Sequence, residues 1–448
     1  MQPVNVYALA GESKFNSFHR LILFWCVLIL VIDGYDLAVV GAALPAIMKD
    51  MAIDPTSAGV MAGSALLGTM LGAIFLGTLA DRIGRPKMIA ICVALFSLFT
   101  AAAGLTSDPI SFSIARFIAG LGIGGVLPIV TAQMGEFSPA KLRTRLVTLV
   151  FAGYSVGGIL VALTGKQLIE SHGWQSVFYV AGLPVLLIPL ILKTMPESMA
   201  IVPKQGRQQE LRVLVRRISP SYPLDSQTVL AGNPAENDAS LDAPIKGLFN
   251  EGRGFSTVMI WAAFMTGLFM VYALNSWLTK LMAMSGHSLG SALNFVIVFN
   301  VGAIVGALGG GWLSDKFNIK YVLVSFYVVG AVALTVMGFT RSTELLFVVV
   351  FIVGASTLGT QLIAYAYAGD FYPTSIRSTG VGFASGVGRI GAIIAPVLIG
   401  WLVSLALPLE QNFMVIALAG LIGALAVTFV NQARADSTQV SKAPALSR

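Results

Sequence analysis

Twelve long apolar runs limit what this chain can fold into. They span residues 21–44, 58–80, 88–105, 110–133, 146–168, 174–193, 255–279, 289–313, 320–339, 344–366, 379–402 and 412–431. A helix needs about 20 apolar residues to cross the hydrocarbon core of a bilayer. Only 11% of the 448 residues are charged, whereas about 25% are charged in a soluble domain. We therefore predict an all-α membrane protein with twelve transmembrane helices.

The first run is interpreted as a membrane span and not as a cleaved signal peptide, because it starts after twenty residues and contains two acids. The short alternating segments that are typical of a membrane β-barrel do not occur in the sequence.

Basic residues are distributed unevenly between the predicted loops. If the chain starts in the cytoplasm, the cytoplasmic loops contain 22 of the 28 Lys and Arg residues. The opposite loops contain only Lys49, Lys166, Lys280 and Arg341. This asymmetry follows the positive-inside rule and predicts that both termini are cytoplasmic. Topology explains the net charge of +7, so we expect no nucleic-acid partner.

A shift of 234 residues relates the first part of the chain to the second. At this shift GTLADR (77–82) corresponds to the segment around GGWLSDK (310–316), and EFSPAKLR (136–143) corresponds to DFYPTSIR (370–377). Gly68, Gly72 and Gly157 also find glycines at the same shift. So many matches at one gap-free shift indicate a duplication. Parallel six-helix repeats with a site at the midplane are typical of one class of transporters.

The duplication predicts how the chain is divided into domains. The long polar segment in the middle would separate six spans from six spans. We predict an N-terminal six-helix half at 1–193, a cytoplasmic linker at 194–254, a C-terminal six-helix half at 255–431 and a cytoplasmic tail at 432–448.

Charges at the predicted membrane edge are candidate gate residues. Rocking of two halves requires contacts that break and form again, and repeated charges at the helix ends suit that role. Simple topology and helix capping are the alternative explanation. The candidates are Asp81, Arg82, Arg85, Glu136, Arg143, Asp315, Asp370 and Arg377.

Four charges lie deep in the predicted spans: Asp33, Asp36, Arg116 and Arg389. None is repeated, since the corresponding positions are Gly267, Met270, Val350 and Ser155. A charge at a helix centre costs about 2.5–3.5 kcal/mol on insertion scales, so we expect these residues to pair or to line a wet cavity. Asp33 and Asp36 are three residues apart and share one helical face.

The four deep charges sum to zero, which predicts coupling between an anion and a proton. A monoanionic carboxylate would add an unbalanced charge, and one proton on Asp33 or Asp36 would restore neutrality. Arg389, with Arg116 as a second candidate, offers a planar fork that suits a carboxylate. A buried structural salt bridge between Asp33 and Arg116 is the alternative.

Over essentially its whole length, the chain resembles the major facilitator superfamily. GTLADRIGRPK (77–87) is similar to the cytoplasmic loop motif of that superfamily. A finer resemblance is to the aromatic acid:proton symporters, through DGYD (33–36), ARFIAGLGIGG (115–125), PES (196–198) and GRIGAIIAP (388–396). This resemblance implies the major facilitator fold and import of an acid of the benzoate, hydroxybenzoate or protocatechuate type.

The aromatic substrate follows from the resemblance and not from the composition. Candidate contacts to its ring and ring hydroxyls are Tyr35, Asn275, Trp277 and Gln361. Packing or anchoring at the membrane interface is the alternative for each of them. We expect a monomeric multi-pass protein of the inner or plasma membrane that needs no cofactor or metal. Its expected partners are an aromatic carboxylate, protons and the lipid bilayer.

Other functions stay open at this point. The same fold could carry another small organic anion, a sugar or a drug. A membrane sensor of aromatic acids is a further alternative, although the segment 194–254 is small for a signalling domain. There is no P-loop and no H-E-x-x-H motif, and the three histidines lie near loops. We therefore predict that the protein is not an enzyme.

Overall fold

The computed structural model describes residues 4–199, 201–204, 207–220, 222, 230–231, 247–373 and 376–432. Twelve helical segments in these ranges are long and apolar enough to cross a membrane, which confirms the predicted spans. They are Ser17–Asp50, Pro55–Ala80, Arg85–Ala103, Pro109–Phe137, Arg145–His172, Gln175–Thr194, Gly254–Met284, Leu289–Lys316, Ile319–Phe339, Thr343–Phe371, Thr379–Ser404 and Leu409–Phe429.

The first half of the described chain contains two short strands and ten helices. They are β1 Val4–Asn5, α1 Val6–Glu12, α2 Ser17–Asp50, α3 Pro55–Ile83, α4 Arg85–Ala103, α5 Pro109–Phe137, α6 Arg143–His172, α7 Gln175–Gly182, α8 Ile188–Thr194, α9 Ile201–Lys204, α10 Gln208–Ile218 and β2 Leu230–Ala231. The 3-10 turn Leu183–Leu187 joins α7 to α8 within the sixth span. Pro184 and Pro189 lie in the first turns of the 3-10 turn and of α8, where a missing N–H is tolerated.

After the 3-10 turn Asn250–Gly252, six long helices follow. They are α11 Gly254–Met284, α12 Leu289–Lys316, α13 Ile319–Phe339, α14 Thr343–Phe371, α15 Arg377–Ser404 and α16 Leu409–Phe429.

Short polar side chains mark the starts of several helices. Asp54 accepts hydrogen bonds from the backbone N–H groups of Thr56 at 2.9 Å and Ser57 at 3.2 Å at the start of α3. The hydroxyl of Ser57 and these amides hold the pKa of Asp54 below its usual range. Asp108 caps α5 in the same way. Such caps satisfy N–H groups that have no partner within the helix.

The described residues form two compact units. Unit 1 contains those of Met1–Val39 and Ser64–Ala239, and unit 2 contains those of Val40–Gly63 and Ser240–Arg448. Helices α2 and α3 therefore contribute residues to both units.

The predicted halves at 1–193 and 255–431 divide the chain differently and stay a prediction. Residues 433–448 of the predicted tail lie outside the described residues, as does most of the predicted linker at 194–254.

Glycines bring the helices of unit 1 into backbone contact. A Cβ atom at Gly68 or Gly72 of α3 would collide with the carbonyl oxygens of Phe117 or Leu121 in α5. In the opposite direction, Gly120 of α5 lies against α3. Small residues at such positions let membrane helices approach closely.

The same contacts recur in unit 2 at the shift of 234 residues. Gly302 and Gly306 of α12 lie against the carbonyl oxygens of Phe351 and Ala355 in α14, and each of these four residues is the counterpart of one in unit 1. The glycine and its partner are therefore both displaced by the same number of positions. The duplication extends from the sequence to the packing of helices within each unit.

A third contact follows the same rule. Gly157 of α6 lies against the carbonyl oxygen of Val31 in α2, and Gly391 of α15 lies against that of Met265 in α11. The shift relates these two contacts as well. Helix α2, which carries the two acids, therefore packs on α6 as α11 packs on α15.

The N-terminal arm (residues 4–16) joins the helix α10 near the first turn of α2. Strand β1 of the arm pairs in parallel with β2. The side-chain amide of Asn16 donates hydrogen bonds to the carbonyls of Arg217 and Ile218 at the end of α10, both at 3.0 Å. The guanidinium of Arg217 lies 4.8 Å from the centre of the Phe18 ring. This part of the central segment is thus anchored to unit 1.

Candidate functional site

The two acids of α2 are buried within unit 1. Asp33 is 3% exposed and Asp36 is 1% exposed. Gly34 lies between them, and a Cβ atom there would collide with the backbone carbonyl of Tyr154 in α6. The glycine therefore allows a neighbouring backbone to approach the turn that carries both carboxyl groups.

Arg116 of α5 forms an ion pair with Asp36. Its Nη1 atom lies 3.1 Å from each carboxylate oxygen, and its Nη2 atom donates to the backbone carbonyl of Asp36 at 3.0 Å. Nη1 also donates to the hydroxyl of Thr100 in α4. The side chains of Arg116 and Asp36 are 0% and 1% exposed. One guanidinium therefore connects three helices, and the ion pair that it forms is with Asp36 and not with Asp33.

This polar cluster has no counterpart in unit 2. At the shift of 234 residues, Asp36, Arg116 and Thr100 correspond to Met270, Val350 and Leu334. All three counterparts are apolar and at most 1% exposed. Sequence analysis did not single out Thr100, because a threonine in an apolar run gives no signal until its neighbour is known.

Arg389 of α15 lies in a polar region of unit 2. It is half-buried, near the middle of the span Thr379–Ser404, and forms no ion pair with another described residue. One turn earlier, the hydroxyl of Ser385 lies 2.7 Å from that of Tyr365 in α14. The Tyr365 ring meets Phe264 of α11 edge-on, with ring centres 4.9 Å apart. A guanidinium, two hydroxyls and two aromatic rings therefore occupy adjacent turns.

Gln361 lies one turn before Tyr365 on α14. It is 6% exposed, and neither its amide oxygen nor its amide nitrogen has a hydrogen-bond partner among the described residues. Its oxygen faces Gly267 of α11, where a Cβ atom would lie 2.9 Å from it and 2.8 Å from the hydroxyl of Tyr327. Gly267 is the counterpart of Asp33. A buried amide with unused donors and acceptors is suited to a polar ligand.

Two predicted ring contacts are bound within the protein. The hydroxyl of Tyr35 lies 2.9 Å from that of Thr164 and donates to the carbonyl of Val177 at 3.2 Å. The indole N–H of Trp277, which is fully buried, donates to the carbonyl of Pro396 at 2.9 Å. Both side chains have a structural role, and their predicted role towards substrate stays untested. The same holds for the half-buried Asn275.

Two of the predicted gate residues meet in unit 1. Arg85 and Glu136 form an ion pair. Glu136 also accepts hydrogen bonds from the hydroxyl of Ser198 at 2.8 Å and the N–H of Met199 at 3.2 Å. Glu197 accepts one from the N–H of Arg85 at 2.8 Å. The PES segment is thereby attached to the start of α4 and the end of α5, contacts that the sequence motif alone did not assign.

The other predicted gate residues are not joined in this way. Arg82, Arg143, Asp315 and Asp370 are exposed, and the side chain of Asp81 lies outside the described residues. Arg377 donates through Nε to the carbonyl of Tyr372 at 3.3 Å. The counterpart of Arg85 in unit 2 is Ile319, so the duplication does not repeat the Arg85–Glu136 pair. The gate role of these residues stays a prediction.

Comparison with known proteins places this geometry among transporters. A family model described as the Major Facilitator Superfamily matches residues 26–361 and, in a second match, residues 295–447. The benzoate transport protein of Acinetobacter baylyi is 39% identical over 436 residues, 96% of this chain and 93% of that protein. The gallate transporter of Pseudomonas putida is 30% identical over 445 residues, 99% of this chain and 98% of that protein.

A solved structure shares the fold. The crystal structure of a D-xylose-proton symporter superposes with a TM-score of 0.70 over 92% of this chain and 97% of that chain. The two sequences are 18% identical, so this likeness concerns the fold alone.

Removing the carboxylate of the Asp36–Arg116 pair is expected to destabilise the protein. In Asp36→Met the buried guanidinium loses its counter-charge, which costs about 3–5 kcal/mol when one partner of a buried pair is removed. Thermal unfolding of the purified protein in detergent measures the loss as a lowered Tm.

The matched control replaces the whole cluster by its counterparts from unit 2, as Asp36→Met, Thr100→Leu and Arg116→Val together. No charge is then left unpaired, so this triple variant should be more stable than Asp36→Met alone. A single variant as stable as the wild type would show that the pair does not hold α2 to α5.

Proposed function

The chain belongs to the Major Facilitator Superfamily, a family of multi-pass membrane transporters and not of enzymes, and we propose that it imports small aromatic carboxylates together with protons. The substrate class is supported by relatives that are a benzoate transport protein and a gallate transporter. Proton coupling is supported by one observation above all, the acidic pair buried in α2 of which one member is neutralised by arginine.

Asp33 is the proposed proton carrier. Asp36 is held by Arg116, so adding a proton to it would weaken an ion pair that joins three helices. Asp33 lies one turn away at 3% exposure, where an ionised carboxylate is expensive in the membrane. Protonation of Asp33 therefore changes the charge of the site without dismantling the packing around Arg116.

Arg389 is the proposed ligand of the substrate carboxylate. Its guanidinium is always charged and presents paired N–H donors that suit a carboxylate. Tyr365 and Phe264 offer ring faces and edges one turn away, and the amide of Gln361 offers a donor and an acceptor to a ring hydroxyl. Arg116 is proposed to keep its structural role with Asp36 and not to bind substrate.

Coupling to one proton also has an energetic reason. An anion that moves inward against an interior-negative potential loses about 2.3 kcal/mol per charge per 100 mV. A proton that moves with each anion cancels this cost, so that the pH gradient drives entry. We propose alternating access between a half at 1–193 and a half at 255–431, with both termini in the cytoplasm and a monomer as the working unit.

The inner gate is proposed to include Arg85, Glu136 and the PES segment. Their contacts join the start of α4, the end of α5 and the residues after α8 on the proposed cytoplasmic side. Such a network of charge-assisted hydrogen bonds can form and break as a group. The exposed charges at Arg82, Arg143, Asp315 and Asp370, together with Asp81 and Arg377, are proposed to act in the same movement.

An outer closure is proposed within unit 2. The carbonyl of Asn275 in α11 lies against Gly41 of α2. A Cβ atom at Gly59 of α3 would lie 2.5 Å from the carbonyl oxygen of Pro396 in α15. Glycines at these two positions let the ends of α2 and α3 lie directly on α11 and α15. Opening towards the outside would separate these contacts.

Uptake into proteoliposomes tests the proposed function. Labelled 4-hydroxybenzoate should accumulate when the interior is more alkaline, by up to about tenfold for one pH unit. A protonophore should abolish the accumulation, and liposomes without protein control for passive entry. Unlabelled benzoate should compete better than cyclohexanecarboxylate, which has the same charge and no aromatic ring. Equal competition would contradict the aromatic substrate, and accumulation that survives the protonophore would contradict symport.

Asp33→Asn should separate exchange from accumulation. Because the amide cannot carry the proton, accumulation driven by the pH gradient should fall at least tenfold, whereas exchange of internal for external substrate should persist. Asp54→Asn is the matched control, since an asparagine also caps a helix. Normal accumulation by Asp33→Asn would remove this residue from the coupling step.

Gly59→Val should prevent the outer closure. Its Cβ atom would meet the carbonyl of Pro396, so uptake should fall more than tenfold while substrate still binds. The ratio of bound substrate to transport rate is the measurement. Gly309→Val is the control, because a Cβ atom at Gly309 meets no atom within 4 Å. Equal loss of uptake in both variants would contradict the proposed closure.

A further inference from the structure

An apolar groove of about 540 Å³ lies on unit 1 between α2 and α6. Its lining includes Arg20, Leu23, Phe24 and Val27 of α2 and Leu149 of α6. Phe24 is 57% exposed and Leu149 is 47% exposed, so the groove is open to the surroundings of the bundle. Its volume lies in the range of pockets that hold small organic ligands.

The groove has a clear origin in the packing of the two helices. At Gly34, Gly153 and Gly157 the backbones of α2 and α6 are in direct contact. Nearer to the start of both helices no glycine occurs on either one, and the large side chains of Phe24 and Leu149 stand between them. The helices therefore separate towards their first turns, where the groove opens.

Both helices present a basic side chain at the open end of the groove. Arg20 is exposed, and its Nη2 atom donates to the hydroxyl of Ser17 at 2.8 Å. Arg145 of α6 is exposed and lies one turn before Leu149 on the same helical face. The first turns of α2 and α6 contain no acidic residue. An apolar cleft with a basic mouth complements an anionic group that is joined to a hydrocarbon chain.

We propose that this groove binds one anionic phospholipid. The acyl chain lies along Leu23, Phe24, Val27 and Leu149, and the phosphate is held between Arg20 and Arg145. Basic pockets between membrane helices bind anionic lipid head groups by this combination of charge and apolar contact. The site does not depend on which substrate the protein carries. Its occupant contacts α2, the helix that carries Asp33 and Asp36.

Lipid competition tests the charged part of the site. The purified full-length protein, freed of lipid in detergent, is mixed with equal amounts of phosphatidylglycerol and phosphatidylcholine, and the bound lipids are counted by native mass spectrometry. The wild type should retain phosphatidylglycerol at least about fivefold over phosphatidylcholine. Arg20→Gln with Arg145→Gln should bring the ratio close to one, and the corresponding double lysine variant should keep it.

A matched control removes two charges elsewhere, as Lys193→Gln with Arg216→Gln, since both residues are exposed and neither lines the groove. It should keep the wild-type ratio. A wild-type ratio near one overturns the proposal. So does a double glutamine variant at Arg20 and Arg145 that still prefers phosphatidylglycerol as the wild type does.

Filling the groove tests the apolar part. Leu149→Trp should lower the amount of retained phosphatidylglycerol at least threefold, because the indole occupies the space of the acyl chain. Leu160→Trp is the control, since Leu160 lies on the same face of α6, is 41% exposed and does not line the groove. Equal retention in the two variants overturns the proposal that the lipid lies between α2 and α6.

Discussion

Direct contact between a glycine and the carbonyl of a neighbouring helix is the interaction on which each unit depends. In lipid there is no hydrophobic force that drives helices together, so close van der Waals packing must do this. Gly68 and Gly72 supply it between α3 and α5, and Gly302 and Gly306 supply it between α12 and α14. Because a side chain at any of these positions would meet a backbone atom, the duplicated sequence has kept them while most of its other residues have changed.

The polar residues of the membrane interior follow the opposite rule. Arg116, Asp36 and Thr100 connect three helices of unit 1, whereas their counterparts in unit 2 are apolar. A buried ion pair adds little stability over apolar residues of similar volume, so stability alone does not account for it. Conversely, Gln361 and Arg389 of unit 2 correspond to Leu127 and Ser155 of unit 1. Each unit therefore keeps the common packing and adds its own charges.

The sequence predicted the spans and the duplication well, because both depend on short-range signals. Apolar length identifies a membrane helix, and a constant shift identifies a repeat. Partners across helices were harder to predict. The choice of Asp36 over Asp33 by Arg116, and the contact of Glu136 with Ser198, depend on how α2, α5 and the PES segment are rotated and placed. A pattern along one chain carries no information on rotation, and the same limit applies to Thr100, Ser385 and Phe264.

Helix α2 is where these features come together. It has 34 residues and is therefore about 50 Å long. The N-terminal arm lies at its start, α6 packs on Gly34, Arg116 holds Asp36, and the residues from Val40 onward belong to unit 2. Such a helix moves largely as one body, so a displacement at either end reaches the two acids. Carboxyl groups that must exchange protons with one side at a time are well placed on a helix that both units contact.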